Sequence, residues 1–227
     1  MHLNILMFDS ALEDLENKLN QDIAWRKKEL VNLNNELNAK AENLTQEYSF
    51  LVRASIALVY AHWEGSVKAQ LIVYVKFLNK LLKEEYLQID SYDDQLLDLI
   101  FYSTIKTLTQ NTQEKRLKGI LDFKKLYLNK EVIKIKGDDV IQTKSNLSFE
   151  VLENLLDKFS IEQLDSIDKA FIEQLLKDRN AIAHGENRFS EIKESDRLKM
   201  SETLQKIENL ITSLKNNILK KAESFKN

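Results

Sequence analysis

Hydrophobic residues near the start of the chain recur at steps of three, four and seven, which is the spacing of one apolar face on an α-helix. They are Leu12, Leu15, Leu19, Ile23, Leu30, Leu33 and Leu37. The pattern predicts a long amphipathic helix over about residues 8–47. At about 1.5 Å per residue this helix would be about 60 Å long, so a kink or a partner helix along it is expected.

The stretch from about Thr45 to Glu85 is apolar nearly all round, which is typical of a central, buried helix. Further helical patterns lie at Asp93–Thr107, Gln113–Leu128, Ser148–Phe159, Ile167–Ala183 and Glu191–Phe225. Gly185 is expected to end the helix that reaches Ala183. Ser160 and Gln163 resemble a capping box, which begins a helix.

Residues 131–143 depart from the helical pattern. Two short apolar runs, one ending at Ile135 and one at Val140 and Ile141, flank the polar turn that begins at Gly137. This arrangement predicts a small β-hairpin insertion. Because nothing in the chain resembles a linker, we predict a single all-α domain over residues 1–227, a helical bundle with long terminal helices and a core at about 45–225.

Composition narrows the class of protein further. Of the 227 residues 43% are hydrophobic and 30% charged, with no proline and 4 glycines, which is typical of a folded helical chain. The absence of cysteine excludes disulfide frameworks, thiolate nucleophiles and cysteine-based metal sites. No segment resembles a signal peptide or a membrane span, so we expect a cytoplasmic protein without a membrane partner.

The net charge of -3 excludes an overall basic field, but one segment is locally basic. Residues 115–144 hold nine basic and four acidic side chains. Because phosphate neutralisation dominates nucleic-acid affinity, this segment is a candidate RNA-binding surface, and a solvated helix face is the alternative interpretation. The candidate residues are Lys115, Arg116, Lys118, Lys124, Lys125, Lys134 and Lys136.

The richest cluster of chemically active residue types is Asp178–Gly185, near the end of a predicted helix. Asn180 and His184 lie about 40° apart and share a helix face, whereas Arg179 lies about 140° from His184 and must curl round to meet it. Ala181 and Ala183 are small enough for a second copy to approach closely, which would bring two arginines and two histidines together.

Histidine and arginine suit RNA cleavage by the ribose 2′-hydroxyl. Imidazole transfers protons near neutral pH, and guanidinium stabilises a negatively charged phosphorane without a metal ion. The alternative is structural: His184 caps the helix end while Arg179 pairs with a nearby carboxylate. Spacing alone favours that alternative.

A second polar group lies in the predicted central helix. There His62 adjoins Trp63, and a histidine beside a buried tryptophan is more often core packing than chemistry. Glu64 shares a stripe with Arg53 and Tyr60, so it either pairs with Arg53 or reaches the cleft and holds Arg179. No nucleotide-binding loop, metalloprotease motif or nucleophile elbow occurs in the sequence.

Two segments resemble a known superfamily. Residues Arg179–Gly185 resemble the Arg-x4-6-His motif of the HEPN superfamily, including the polar residue after the arginine. Residues 53–68, with His62 to Gly65 and Lys68, resemble the central helix of its MAE-type HEPN-like nuclease branch. The segments occur in the expected order and together cover the core, leaving the hairpin and parts of the first helix unaccounted for.

This resemblance implies a helical bundle that dimerises so that the motifs of both chains form one active site. Such proteins are typically metal-independent endoribonucleases of toxin–antitoxin or anti-phage defence systems. By the same resemblance Arg179 and His184 are the catalytic pair, and Asn180 orients or contacts the phosphate. The position of Glu64 on its helical stripe makes it a further supporting residue. No metal or cofactor is expected. The expected partners are RNA, a second copy of the chain, and a cognate antitoxin or defence-system protein.

Cleavage of this kind leaves a 2′,3′-cyclic phosphate and a 5′-hydroxyl. The alternative function is a non-catalytic HEPN-like module that dimerises or binds a partner through its long terminal helices.

Overall fold

The computed structural model describes residues 2–40, 46–84, 97–102, 109, 112–128, 134–143, 146–165, 167–186, 189 and 194–226. Helices occupy most of these ranges, and none of the described residues is in a β-strand. The helices are α1 (His2–Ala39), α2 (Gln46–Lys83), α3 (97–102), α4 (Gln113–Leu128), α5 (Gly137–Val140), α6 (Phe149–Lys158), α7 (Lys169–Ala183) and α8 (Glu194–Glu223), followed by a 3-10 turn at Ser224–Lys226. The all-α class predicted from the sequence is confirmed.

Helix α2 is the centre of the bundle, as its all-round apolar pattern predicts. It packs against α1, α5, α7 and α8, and it buries the large aromatic side chains Tyr48, Trp63 and Tyr74. Helix α1 packs along both α2 and α8, so the partner predicted for this long helix is present. None of the described helices is both long and apolar enough to cross a membrane.

The first helix begins earlier than the sequence pattern indicates. It starts at His2, and Phe8 is fully buried, with its ring centroid 6.1 Å from that of Phe77. The predicted single helix over 8–47 is divided, because α1 ends at Ala39 and Glu47 belongs to α2. Residues 41–45 lie outside the described part of the chain. Of the predicted Asp93–Thr107 helix, only residues 97–102, which form α3, are described.

The predicted β-hairpin at 131–143 is wrong in its described part, residues 134–143. Where a strand partner was expected, the side chain of Asn79 on α2 binds the backbone of Ile135: its Oδ1 accepts from the amide at 2.7 Å and its Nδ2 donates to the carbonyl at 2.9 Å. The turn residues form the short helix α5, whose Gly137 faces the side chain of Val75. The segment therefore packs on α2 instead of pairing with itself. Residues 131–133 lie outside the described part.

Helices α6 and α7 end in the same geometry. Ser160 has φ 52° and the amide of Ile161 donates to the carbonyl of Leu156, so Ser160 ends α6 and the predicted capping box there is wrong. Gly185 has φ 77° and the amide of Glu186 donates to the carbonyl of Ala181. This confirms the predicted stop after α7.

Candidate functional site

Arg179 lies on the face of α7 that packs against α2, where its side chain is 21% exposed. One terminal nitrogen, Nη2, donates to Oδ1 of Asn146 at 2.8 Å and lies 3.9 Å from Oε2 of Glu64. The guanidinium carbon lies 4.2 Å from the centroid of the Tyr60 ring. A planar cation is thus bounded by an aromatic face, an amide oxygen and a carboxylate, which fixes its orientation.

Glu64 is the carboxylate of this site and is largely buried, with its side chain 13% exposed. Its Oε1 accepts hydrogen bonds from Nζ of Lys68 and Oγ1 of Thr143, both at 2.7 Å. Burial acts to raise the pKa of Glu64, but the hydrogen bonds from Lys68, Thr143 and Tyr60 and the charge of Lys68 outweigh it, so the pKa is lowered. Glu64 is therefore ionised near neutral pH and bears a charge opposite to that of Arg179.

Tyr60 connects the arginine to the loop before α6. Its hydroxyl oxygen accepts from the amide of Leu147 at 2.6 Å. Burial raises the pKa of Tyr60, and the nearby charge of Glu64 adds to this, while hydrogen bonds with Arg179 and Leu147 act in the opposite direction. The net shift is upward, so the phenol stays neutral and serves Arg179 through its ring and its hydroxyl.

Asn180 and His184 lie on a different face of α7. They line an open groove of about 370 Å³ together with Glu173, Lys177 and Glu186, and His184 is exposed at the end of the helix. Arg179 does not line this groove. Arg179 is directed instead at Glu64 and Asn146. One copy of the chain therefore brings Arg179 together with Glu64, and Asn180 together with His184, at different places on α7.

His62 points away from this site, into the packing between α1 and α2. It is 3% exposed, its Nε2 lies 3.0 Å from Oε2 of Glu29, and its ring centroid lies 5.3 Å from that of Trp25. Burial lowers the pKa of His62, and the positive charge of Arg26 adds to this against the opposing carboxylates. His62 thus packs in the contact between α1 and α2.

The predicted RNA-binding residues are on the surface wherever their side chains are described. Lys115, Arg116, Lys118 and Lys124 on α4 and Lys134 and Lys136 before α5 are all exposed. The side chain of Lys125 lies outside the described part. Exposure is what a phosphate-binding surface requires, and it is equally what a solvated helix face has.

Three residues that contact the site were not identified from the sequence: Lys68 as the partner of Glu64, and Thr143 and Asn146 in the loop. Lys68 had a local signal, because it lies four residues after Glu64 on one helix. Thr143 and Asn146 are 79 and 33 residues away from their partners, and no local pattern indicates such contacts. Among the described residues, no three His, Asp or Glu side chains lie close enough together to hold a metal ion.

The comparisons with known proteins agree with this architecture. A family model described as RiboL-PSP-HEPN matches residues 21–220, from within α1 to within α8. The match includes every residue of the candidate site. Comparison with curated proteins and with solved structures gives no match.

Proposed function

Because the chain belongs to the RiboL-PSP-HEPN family, we propose that it is a metal-independent endoribonuclease of toxin–antitoxin or anti-phage defence type. HEPN domains often bind RNA and dimerise, and many are ribonucleases. The observation that carries the proposal is the setting of Arg179, a cation held by Tyr60, Glu64 and Asn146 at the edge of α7, one residue before the groove that contains Asn180 and His184.

The proposed chemistry needs no cofactor. The oxygen of a ribose 2′-hydroxyl attacks the adjacent phosphorus, the bond from phosphorus to the 5′-oxygen breaks, and the 2′,3′-cyclic phosphate and 5′-hydroxyl result. The proton leaves the 2′-hydroxyl for a base, and the departing 5′-oxygen takes one from an acid. We assign one of these transfers to His184, phosphorane stabilisation to Arg179, and phosphate contact to Asn180.

The separation of Arg179 from His184 within one chain supports a site made by two copies. Ala183 is exposed and follows Arg179 by four residues, so it lies between the arginine and the groove on the surface of α7. A second α7 crossing at Ala183 would bring the His184 of one copy towards the Arg179 of the other. The exposed lysines of α4 are the proposed RNA-binding surface, and a cognate antitoxin or defence protein is the proposed regulator.

The first prediction concerns the reaction itself. Purified wild-type protein should cleave total cellular RNA in excess EDTA and leave cyclic-phosphate and 5′-hydroxyl ends. His184→Ala and Arg179→Ala should each lower the rate by at least about 100-fold, because each removes a group that acts in the transition state. The rates are measured by gel assay with end-group analysis, and circular dichroism checks that both variants stay folded.

The matched controls are His2→Ala and Arg197→Ala, which remove the same residue types at other positions of the sequence. Both should retain wild-type rates. A requirement for added metal, or equal rates in wild type and His184→Ala, would contradict the proposal.

The structure also favours a second function, a non-catalytic module that dimerises or binds a partner. The specific observation is that Arg179 already donates a hydrogen bond to Asn146 and lies beside the carboxylate of Glu64 within one chain. This is the setting of a structural ion pair. This alternative predicts no cleavage by any variant. It also predicts that the wild-type gene is expressed as easily as His184→Ala, whereas a toxin gene should be hard to express intact.

A further inference from the structure

The segment between α5 and α6 reaches the arginine site at three successive points. Thr143 donates to Oε1 of Glu64 at 2.7 Å, Asn146 accepts from Arg179 at 2.8 Å, and Leu147 donates its amide to the hydroxyl of Tyr60 at 2.6 Å. We call the described residues 141–143 and 146–147 the brace loop. Arg179, Glu64 and Tyr60 thus each have a partner in it.

The brace loop is itself held in place. Leu147 is fully buried and Thr143 is 2% exposed, and the amide of Asn146 donates to the carbonyl of Thr143 at 2.9 Å. After the loop, Ser148 caps α6, and the amide of Phe149 donates to Oε1 of Glu173 on α7 at 2.8 Å. A loop tied to both α2 and α7 can set the position of a side chain that lies between these helices.

The brace loop also restricts the orientation of the Glu64 carboxylate. Its Oε1 accepts from both Lys68 and Thr143, so the carboxylate cannot rotate freely and its Oε2 stays directed at Arg179, 3.9 Å away. Tyr60 is fixed in the same way, since the Leu147 amide holds its hydroxyl while its ring lies against the guanidinium. Asn146 acts on Arg179 directly.

We propose that the brace loop is the element that orients the Arg179 guanidinium for RNA cleavage, with Asn146 and Thr143 as positioning residues. The inference rests on the proposed function of Arg179 and adds residues to that site. An arginine has several rotatable bonds, and ordering it in advance removes an entropic cost from the transition state. The bond from Arg179 to Asn146 is solvent-exposed, so its loss should affect orientation much more than folding.

The experiment compares Asn146→Ala and Thr143→Val with the wild type. Asn146→Asp keeps an acceptor oxygen beside the guanidinium and should retain its wild-type mobility. Asn20→Ala is the matched control, because Asn20 is an exposed asparagine that accepts from Lys215 at 3.2 Å on another surface. Two measurements are made: guanidinium dynamics by nitrogen-15 NMR, with Arg179 assigned among the six arginines through Arg179→Lys, and the kinetics of RNA cleavage.

We expect Asn146→Ala to increase the mobility of the Arg179 guanidinium and to lower kcat about tenfold while KM stays within about twofold. Thr143→Val should act in the same direction. Asn146→Asp should match the wild type in guanidinium mobility, and Asn20→Ala should match it in both measurements. Unchanged guanidinium mobility in Asn146→Ala, increased mobility that persists in Asn146→Asp, or a wild-type kcat in Asn146→Ala would overturn the inference.

The two proposals fail in different ways. If the wild type cuts no RNA, the ribonuclease proposal is wrong, and the NMR comparison still decides whether the brace loop orients Arg179. If the wild type cuts RNA and Asn146→Ala cuts equally well, the ribonuclease proposal stands and the role of the brace loop is wrong.

Discussion

Glu64 is the single residue on which most contacts of the arginine site depend. Its pKa is lowered because hydrogen bonds from Lys68, Thr143 and Tyr60 outweigh the effect of burial. The unfolded chain therefore binds the Glu64 proton more readily than the folded one. The stabilisation that this carboxylate provides is complete well above its ordinary pKa of 4.5 and is lost as the pH falls through the lowered, folded-state value.

The direction of this pKa shift gives a prediction for the stability of Glu64→Gln. Near pH 7 the variant should unfold with a free energy about 1–2 kcal/mol below that of the wild type, because charged hydrogen bonds to the carboxylate are weakened. The difference should shrink as the pH falls below 4.5 and through the lowered pKa of the folded state, where the wild-type carboxylate becomes protonated. Urea unfolding at several pH values measures it.

The control for this prediction is Glu162→Gln. Glu162 is 63% exposed and pairs with Lys220 on the surface, so its removal should cost about 0–1 kcal/mol. A Glu64→Gln deficit that stayed constant or grew on acidification would contradict the pKa shift and its assigned cause.

At the scale of single residues, the sequence indicates those parts of the site that lie close together along one helix. Asn180 and His184 share a face of α7 as the helical angle predicts, and the stripe containing Tyr60 and Glu64 faces Arg179. Of the two partners open to Glu64, the structure selects Arg179 over Arg53. The catalytic roles of Arg179, His184, Asn180 and Glu64 stay predictions, since geometry within one chain does not test them.

At the scale of helices, successive residues of α2 face different parts of the molecule. Trp63 is in the core, His62 faces α1, Glu64 faces Arg179, and Gly65 lies where Arg26 crosses from α1. A Cβ atom at Gly65 would lie 3.1 Å from Nη1 of Arg26. That arginine is 7% exposed, and its Nε donates to Asp22 at 2.8 Å.

Gly65→Ala should therefore destabilise the protein, although alanine favours helices over glycine by about 1 kcal/mol. Displacing Arg26 strains a buried ion pair, and we expect a net loss of about 1–2 kcal/mol in the free energy of unfolding. Gly137→Ala is the control, because a Cβ there meets only Val75 and Ile141 at 3.8 and 3.9 Å, an ordinary contact. Thermal and urea unfolding of both variants compare the two sites, and a stabilised Gly65→Ala would show that Arg26 adjusts freely.

The helices were predictable because each long one has a continuous apolar face of its own. The Gln113–Leu128 boundaries agree with the sequence pattern, and the start of α6 at Phe149 and the end of α7 at Ala183 do so too. The segment at 134–143 was not predictable in this way. Its apolar residues Ile135, Val140 and Ile141 are buried against α2, and its backbone is satisfied by the distant Asn79. Alternating apolar runs thus indicated a hairpin where long-range contacts produce a packed turn.

At the scale of the whole molecule, the superfamily was accessible from two short motifs, and the family match over residues 21–220 confirms the HEPN assignment. That match leaves the MAE-type branch a resemblance and the single-domain boundary a prediction. Neither motif predicts the arrangement of subunits, because the sequence of α7 does not specify what packs against its exposed end. The dimer must therefore be tested directly.

If two copies meet at α7, the wild type should have a mass of about 53 kDa in light scattering, twice the 26.5 kDa of one chain. Ala183→Arg places a long charged side chain at the exposed position between Arg179 and the groove, so it should give a folded monomer that has lost RNA cleavage. Ala24→Arg adds the same side chain at an exposed alanine of α1 and should stay dimeric and active. Loss of dimer and of activity together in Ala183→Arg alone would support a shared site at α7, whereas a dimeric, active Ala183→Arg would place the subunit contact elsewhere and require Arg179 and His184 to meet within one chain.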